Sequence, residues 1–237
     1  MGETSRKFDF VEGEVLLFDK ELDWTSFDLV HKVRNKLCRA LGIKKLKVGH
    51  AGTLDPKATG LMILCTGKST KQIEVHQAGE KEYLTTIKLG ATTPSFDLET
   101  EEDQQFETKH ITKELVDEIL LQFIGDIEQV PPIFSAVKID GQRAYTHARK
   151  GVDVKMKPRV VNIRQIELLE FSAEQVSIRV VCSKGTYIRS LARDIGKALH
   201  SGAYLVGLRR SQIGSFRVEE GMTIDYFLKN IDKFVTN

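Results

Sequence analysis

The pattern of hydrophobic and polar positions changes period repeatedly along this chain. Residues 1–12 show no periodicity and read as a loose end. Glu14–Phe18, EVLLF, is a short apolar run that predicts a strand. Thr25 or Ser26 can cap a helix running to about Cys38, because Leu29, Val33 and Leu37 recur every four residues on one face. Leu61–Cys65 is continuously apolar, as a buried strand is, and Tyr83–Leu89 alternates like a strand with one covered face. Thr112–Phe123 predicts a helix with Leu115, Ile119 and Phe123 spaced by four. Val160–Phe171 and Val176–Cys182 predict two further strands. Tyr187–Leu199 predicts a helix with Ile188, Leu191, Ile195 and Leu199 on one side, and Ile224–Phe234 a short helical end.

Strands mixed with helices and joined by hairpin-type connections make an α/β or α+β sheet protein. Residues 125–151 interrupt the pattern with Pro131-Pro132, an Asp140-Gly141 turn signal and several basic and aromatic residues. They are expected to leave a single domain, residues 13–237, as an extended excursion. The 237 residues show no repeat and no low-complexity segment.

Composition adds little, with 41% hydrophobic and 29% charged residues. No apolar run approaches the roughly 18–20 residues that span a bilayer, and the N-terminus lacks the apolar stretch of a secretion signal. A cytoplasmic protein is expected. Cys38, Cys65 and Cys182 are odd in number and far apart, which points to buried thiols rather than disulfides or a zinc site.

Charge is unevenly distributed. Residues 31–71 hold ten Lys or Arg and a single acid, Asp55; residues 138–164 hold eight and two; residues 184–217 hold seven and one. Residues 92–128 reverse this, with eleven acids and two lysines. If the basic segments fold together they form the electrostatic footprint of a polyanion binder. Three ordinary solvated surfaces would explain the charge counts equally well.

Two segments are candidates for chemistry. In Gly49-His50-Ala51-Gly52-Thr53-Leu54-Asp55-Pro56-Lys57-Ala58-Thr59-Gly60, three glycines permit sharp turns and close approach of a ligand. Pro56 biases Asp55 toward extended backbone. The surrounding cations favour its carboxylate, which could act as nucleophile or base on a bound polyanion; a turn cap is the plainer alternative. In Ser183-Lys184-Gly185-Thr186-Tyr187-Ile188-Arg189-Ser190-Leu191 a strand hands over to a helix, and Tyr187 and Arg189 emerge in the first turn. Gly67-Lys68-Ser69 looks like the end of a phosphate-binding loop. However, Gly60 and Gly67 are separated by six residues where that motif needs four, which excludes it. The six histidines show no metal-ligand spacing.

Taken together, GHAGTLDPKATG at 49–60 and SKGTYIRSLARDIG at 183–196 resemble the two signatures of the TruB family of tRNA pseudouridine synthases. The likeness extends to Phe18-Asp19-Lys20, Thr70-Lys71, Lys81-Glu82-Tyr83, Gly125–Gly151 and Leu208-Arg209-Arg210, covering residues 13–220 in order. It implies the pseudouridine synthase fold: a mixed, largely antiparallel sheet flanked by helices, with residues 125–151 as a thumb-like loop that grips RNA. It implies that Asp55 starts glycosidic-bond cleavage and that Tyr83 stacks on the target uracil. Tyr187 and Arg189 would line the pocket, with Arg189 pairing with Asp55. His50 would hold the flipped-out nucleotide, Leu208 would pack the pocket and Lys20 would support the same region. The implied substrate is uridine 55 in the T-arm stem-loop of tRNA, met by a monomer without metal or organic cofactor and without a membrane. The sequence departs from the family pattern at Glu21-Leu22-Asp23-Trp24 and at Thr93-Pro94, where Asp97 follows; neither change is expected to touch the pocket residues. It also stops about twenty residues past the last match, so a short form without the small C-terminal RNA-binding (PUA-type) domain is expected. An RNA-binding or tRNA-folding protein without catalysis, and a synthase acting on another structured RNA, are the competing readings; a pure binder has no need of an anion facing phosphates.

Overall fold

The computed structural model describes residues 8–135, 138, 139, 142, 143 and 156–235. The principal strands are β1 (Val15–Lys20), β2 (Val48–His50), β3 (Ala58–Thr66), β4 (Lys81–Leu89), β5 (Gly125–Gln129), β6 (Arg159–Phe171), β7 (Gln175–Cys182) and β8 (Ala203–Ile213). The helices are α1 (Ser26–Ala40), α2 (Ile73–Ala78), α3 (Lys113–Leu121), α4 (Ile188–Ala198) and α5 (Ile224–Phe234). The chain divides into two compact units, Met1–Lys81 with Arg209–Asn237 and Glu82–Leu208.

In the first unit β3 lies between β1 and the second half of β8. β1 and β3 are antiparallel, with Val15 opposite Cys65 and Lys20 opposite Gly60. β2 also pairs with β3, His50 opposite Leu64. Thr25 caps α1: its hydroxyl accepts from the Asp28 backbone N–H at 3.0 Å, while Asp28 accepts from the Thr25 N–H at 3.1 Å. The helix buries Leu29, Val30, Val33 and Leu37, the face that its spacing predicted. Ala51, Leu61, Ile63, Cys65, Ile213 and Val218 form one core cluster. The loose end expected through residue 12 gives way at Phe8. Phe10 is buried, and Phe8 stacks on it at 5.4 Å and meets Phe234 edge-on.

In the second unit the order is first half of β8, β4, β7, β6, β5. β6 and β7 are antiparallel with two register shifts, and β5 closes the edge with Arg159 opposite Gln129. Gly125–Gln129, assigned from sequence to the excursion, is therefore a sheet strand; most of the remaining thumb-like segment lies outside the described residues. α3 also departs from expectation. It ends at Leu121 and buries Val116, Ile119 and Leu120, because the true helical period selects that stripe over Leu115 and Phe123. α4 buries Ile188, Leu191 and Ile195 as predicted, together with Arg189 and Ser190.

Candidate active site

In the first unit, the glycine-bracketed segment is the connection from β2 to β3. Ala51 N–H rejoins β3 at the Ile63 carbonyl, 2.9 Å away, and Ala58 N–H closes a turn on the Asp55 carbonyl at 3.1 Å. Ser26, in the first turn of α1, grips the residue before Asp55 from both sides. Its hydroxyl donates to the Leu54 carbonyl at 3.0 Å and accepts from the Leu54 N–H at 2.8 Å. Asp55 is thus half-buried on backbone fixed immediately before and after it.

Lys20 ends β1, fully buried, and its ammonium donates to the carbonyls of Trp24 at 2.7 Å and Glu21 at 2.8 Å. Burial pushes its pKa down to about 8; Asp55 and Asp23 oppose that shift and Arg210 adds to it. Lys20 and Asp55 are therefore close enough to feel one another's charge. His50, at the end of β2, is half-buried, and its Nδ1 has no hydrogen-bond partner among the described residues. Burial, with Arg210's charge adding and a Gly52 backbone contact opposing, holds its pKa below the ordinary value and favours the neutral imidazole.

Arg210 is the residue that the sequence reading left without a role. It is buried in β8 and donates from Nε to the Leu61 carbonyl at 2.8 Å, from Nη2 to Gly52 at 3.1 Å and from Nη1 to Thr53 at 3.4 Å. Gly60 has φ +108°, and a Cβ there would lie 2.3 Å from the Arg210 carbonyl oxygen. Close strand approach and left-handed backbone both demand glycine at this position. Neighbouring Arg209 points the other way along the strand and holds both carboxylate oxygens of Asp19, at 3.0 and 2.7 Å. The signal available in the sequence was the pair itself: two consecutive arginines in a strand cannot both face water.

In the second unit, Arg189 sits in the first turn of α4 with almost no exposure. Its Nη1 is 3.3 Å from Asp97 Oδ2 and 3.4 Å from the Ser95 carbonyl. Its Nη2 donates to the Phe134 carbonyl at 2.8 Å. Asp97 is itself buried and accepts from the Glu99 N–H at 2.9 Å. Asp97, three residues after the Thr93-Pro94 departure, is thus the carboxylate beside the Arg189 guanidinium. Tyr187 is the N-cap residue of α4, half-buried, with its N–H on Gln129 Oε1 at 2.8 Å. Tyr83 is buried on β4. Leu208 is half-buried on β8, next to Gly207, whose carbonyl accepts from Thr85 at 2.8 Å.

The first unit thus gathers Lys20, His50 and Asp55 around Arg210, and the second unit carries Tyr83, Tyr187, Arg189 and Leu208. Among the described residues no group of His, Cys, Asp and Glu could hold a metal ion, and no helix is long and apolar enough to cross a membrane. Burial raises the Cys65 thiol to about 11, which leaves no thiolate nucleophile there at neutral pH.

Comparison with known proteins bears on this constellation. Residues 39–188 match the family described as TruB family pseudouridylate synthase (N terminal domain). The chain is 60% identical over 225 residues to the tRNA pseudouridine synthase B of Phocaeicola vulgatus, covering 95% of this chain and 96% of that protein. It is 50% identical over 223 residues to the tRNA pseudouridine synthase B of Chlorobium luteolum, covering 94% of this chain and 76% of the relative. A solved chain from a Cbf5-Nop10-Gar1 complex superposes with TM-score 0.70 at 28% identity, covering 94% of this chain and 55% of that one. A chain from an H/ACA RNP bound to a substrate RNA containing 2'-deoxyuridine gives TM-score 0.67 at 25% identity. The chain spans about half the length of these two solved chains, 55% and 54%.

Proposed function

The chain belongs to the TruB family of pseudouridylate synthases and isomerises uridine to pseudouridine in tRNA, and from that premise we propose that it modifies uridine 55 in the T loop, with Asp55 starting the reaction. The observation that carries the assignment to Asp55 is its setting: a carboxylate on a turn pinned by Ser26 and Arg210, within the field of a buried lysine. A fixed, charge-compensated carboxylate is what nucleophilic or basic attack requires.

The reaction breaks the N1–C1′ bond, turns the uracil and rejoins it through C5, which gives up its proton. The base must first leave the stack, at a cost of a few kcal/mol. Tyr83 offers a ring face to the extruded uracil, and Tyr187 and Leu208 add contact around it. His50, neutral and with an uncommitted ring nitrogen, holds the flipped nucleotide. Arg189, rigidly held by Asp97, supplies a fixed cation to the reacting centre. The protein acts as a monomer in the cytoplasm on the T-arm stem-loop, where loop bases are already partly splayed.

The test is tritium release from tRNA labelled at uracil C5, followed by mapping of the product. Wild type releases tritium at position 55; Asp55→Asn releases none while binding tRNA within about tenfold, since removing an anion does not weaken phosphate contacts. Turnover retained in Asp55→Asn refutes its role. Product at another position refutes the T-loop target, and binding without product in wild type supports a pure RNA binder.

A further inference from the structure

We propose that the outer face of α1, with the turn that follows it, is a second RNA-contacting surface, one that stacks an unpaired base and holds the phosphates beside it. It deepens the tRNA reading above and rests on it.

The argument begins with charge. From His31 to Leu54 the sequence contains Lys32, Arg34, Lys36, Arg39, Lys44, Lys45 and Lys47 and no acid. None of the seven has an ion-pair partner among the described residues. Some exposed cations elsewhere are matched, such as Lys113 with Asp117, Lys88 with Glu102, Lys68 with Glu12 and Lys57 with Asp23; what sets this segment apart is seven successive cations with no acid among them. An ordinary solvated face mixes both signs. Seven unmatched cations on a chain of net charge +2 mark a face shaped for a polyanion.

Geometry then orders that charge. α1 turns Leu29, Val30, Val33 and Leu37 inward, so positions 27, 31, 35 and 39, spaced by four, run along its outer side. Phe27 is 69% exposed and its ring stacks on the exposed His31 at 5.9 Å with the planes 19° apart. Asn35 reaches back to the His31 ring at 3.2 Å, and Arg39 continues the line, exposed, with Lys32 and Lys36 flanking it. The helix closes through Gly42 N–H on Arg39 and Ile43 N–H on Cys38, and this fixed turn presents Lys44, Lys45 and Lys47 to solvent. An exposed aromatic ring backed by an imidazole and followed by cations is a base-stacking platform joined to a phosphate track. Burial does not explain Phe27, because its ring faces outward from a helix whose core stripe is complete without it. The surface is also tied to the Asp55 turn. Asp23 N–H bonds the Pro56 carbonyl at 2.9 Å, and the exposed Leu22 lies beside it.

The experiment measures binding of an unmodified tRNA transcript by fluorescence anisotropy over a salt series, with single-turnover pseudouridine formation followed in parallel. For Arg39→Glu/Lys44→Glu/Lys45→Glu we expect about tenfold or greater loss of affinity and a log–log salt slope shallower by about 2 to 3. Its rate at saturating enzyme stays that of wild type. A control of equal charge change, Lys109→Glu/Lys229→Glu/Lys233→Glu, should bind within about twofold of wild type. Phe27→Ala should lose about fivefold or more in affinity with no change in salt slope. Wild-type binding and slope in the first triple variant, or equal loss in the control, overturns the surface; wild-type affinity in Phe27→Ala overturns the stacking platform. Absence of pseudouridine with wild-type enzyme would sink the catalytic reading while the binding arms still judge this one.

Discussion

Replacing Lys20 by methionine separates a functional charge from a structural one. An ordinary lysine titrates at 10.5 and Lys20 at about 8. That interval means the folded protein spends about 3 kcal/mol, relative to the unfolded chain, to keep the ammonium charged at neutral pH. The folded state binds fewer protons than the unfolded state between about 8 and 10.5, so this penalty is fully present below pH 8 and fades as pH rises through that window. Methionine has a similar shape and no charge. The substitution removes the penalty of about 3 kcal/mol and forfeits the short hydrogen bonds to Trp24 and Glu21, worth about 1 kcal/mol each, with a long, weak third to Pro56 at 3.5 Å. The variant should therefore be as stable as wild type at pH 7, within about 1 kcal/mol, in urea denaturation. Its turnover should fall about tenfold or more, because Asp55 loses the neighbouring cation. Wild-type turnover should also decline as pH rises through about 8, a limb that the variant lacks. Wild-type turnover in Lys20→Met, or parallel stability–pH curves for the two proteins, would refute the reasoning.

Asp97→Asn removes the buried carboxylate that lies 3.3 Å from the Arg189 guanidinium. A loss of about 3–5 kcal/mol in stability is expected from chemical denaturation, together with a sharp drop in tritium release that an Asp97→Glu variant fails to restore. Gly60→Ala should cost about 3 kcal/mol or more by thermal denaturation, since the new Cβ meets the Arg210 backbone at 2.3 Å in left-handed backbone. Tritium release should be unchanged in excess EDTA with the tRNA kept folded, as no metal-holding group exists among the described residues; a loss that zinc restores would count against it.

Much of the local structure was legible because it depends on near neighbours. The spacing of Leu29, Val33 and Leu37 marked α1, alternation marked β4, and Thr25 was one of two candidate caps, Thr25 or Ser26, between which the structure chose Thr25. Asp55 stood out as the single acid in a basic stretch, between glycines and before a proline. Where periodicity was ambiguous the reading slipped: α3 buries Val116 and Leu120 rather than Leu115 and Phe123. Gly125–Gln129 joined the sheet because β6 offered it an edge, which no local pattern announces. β8 was missed altogether, since its Gly207 and its run of Arg209-Arg210-Ser211-Gln212 break any alternation. Tertiary structure alone decided what holds the candidate site. Arg210 reaches Leu61 across 149 residues of chain and Arg189 reaches Ser95 across 94. A buried guanidinium is tolerable only where carbonyls and carboxylates from distant segments converge on it. That convergence is a property of the packed chain, whereas motif, charge pattern and helix faces are properties of neighbouring residues and were present in the sequence from the start.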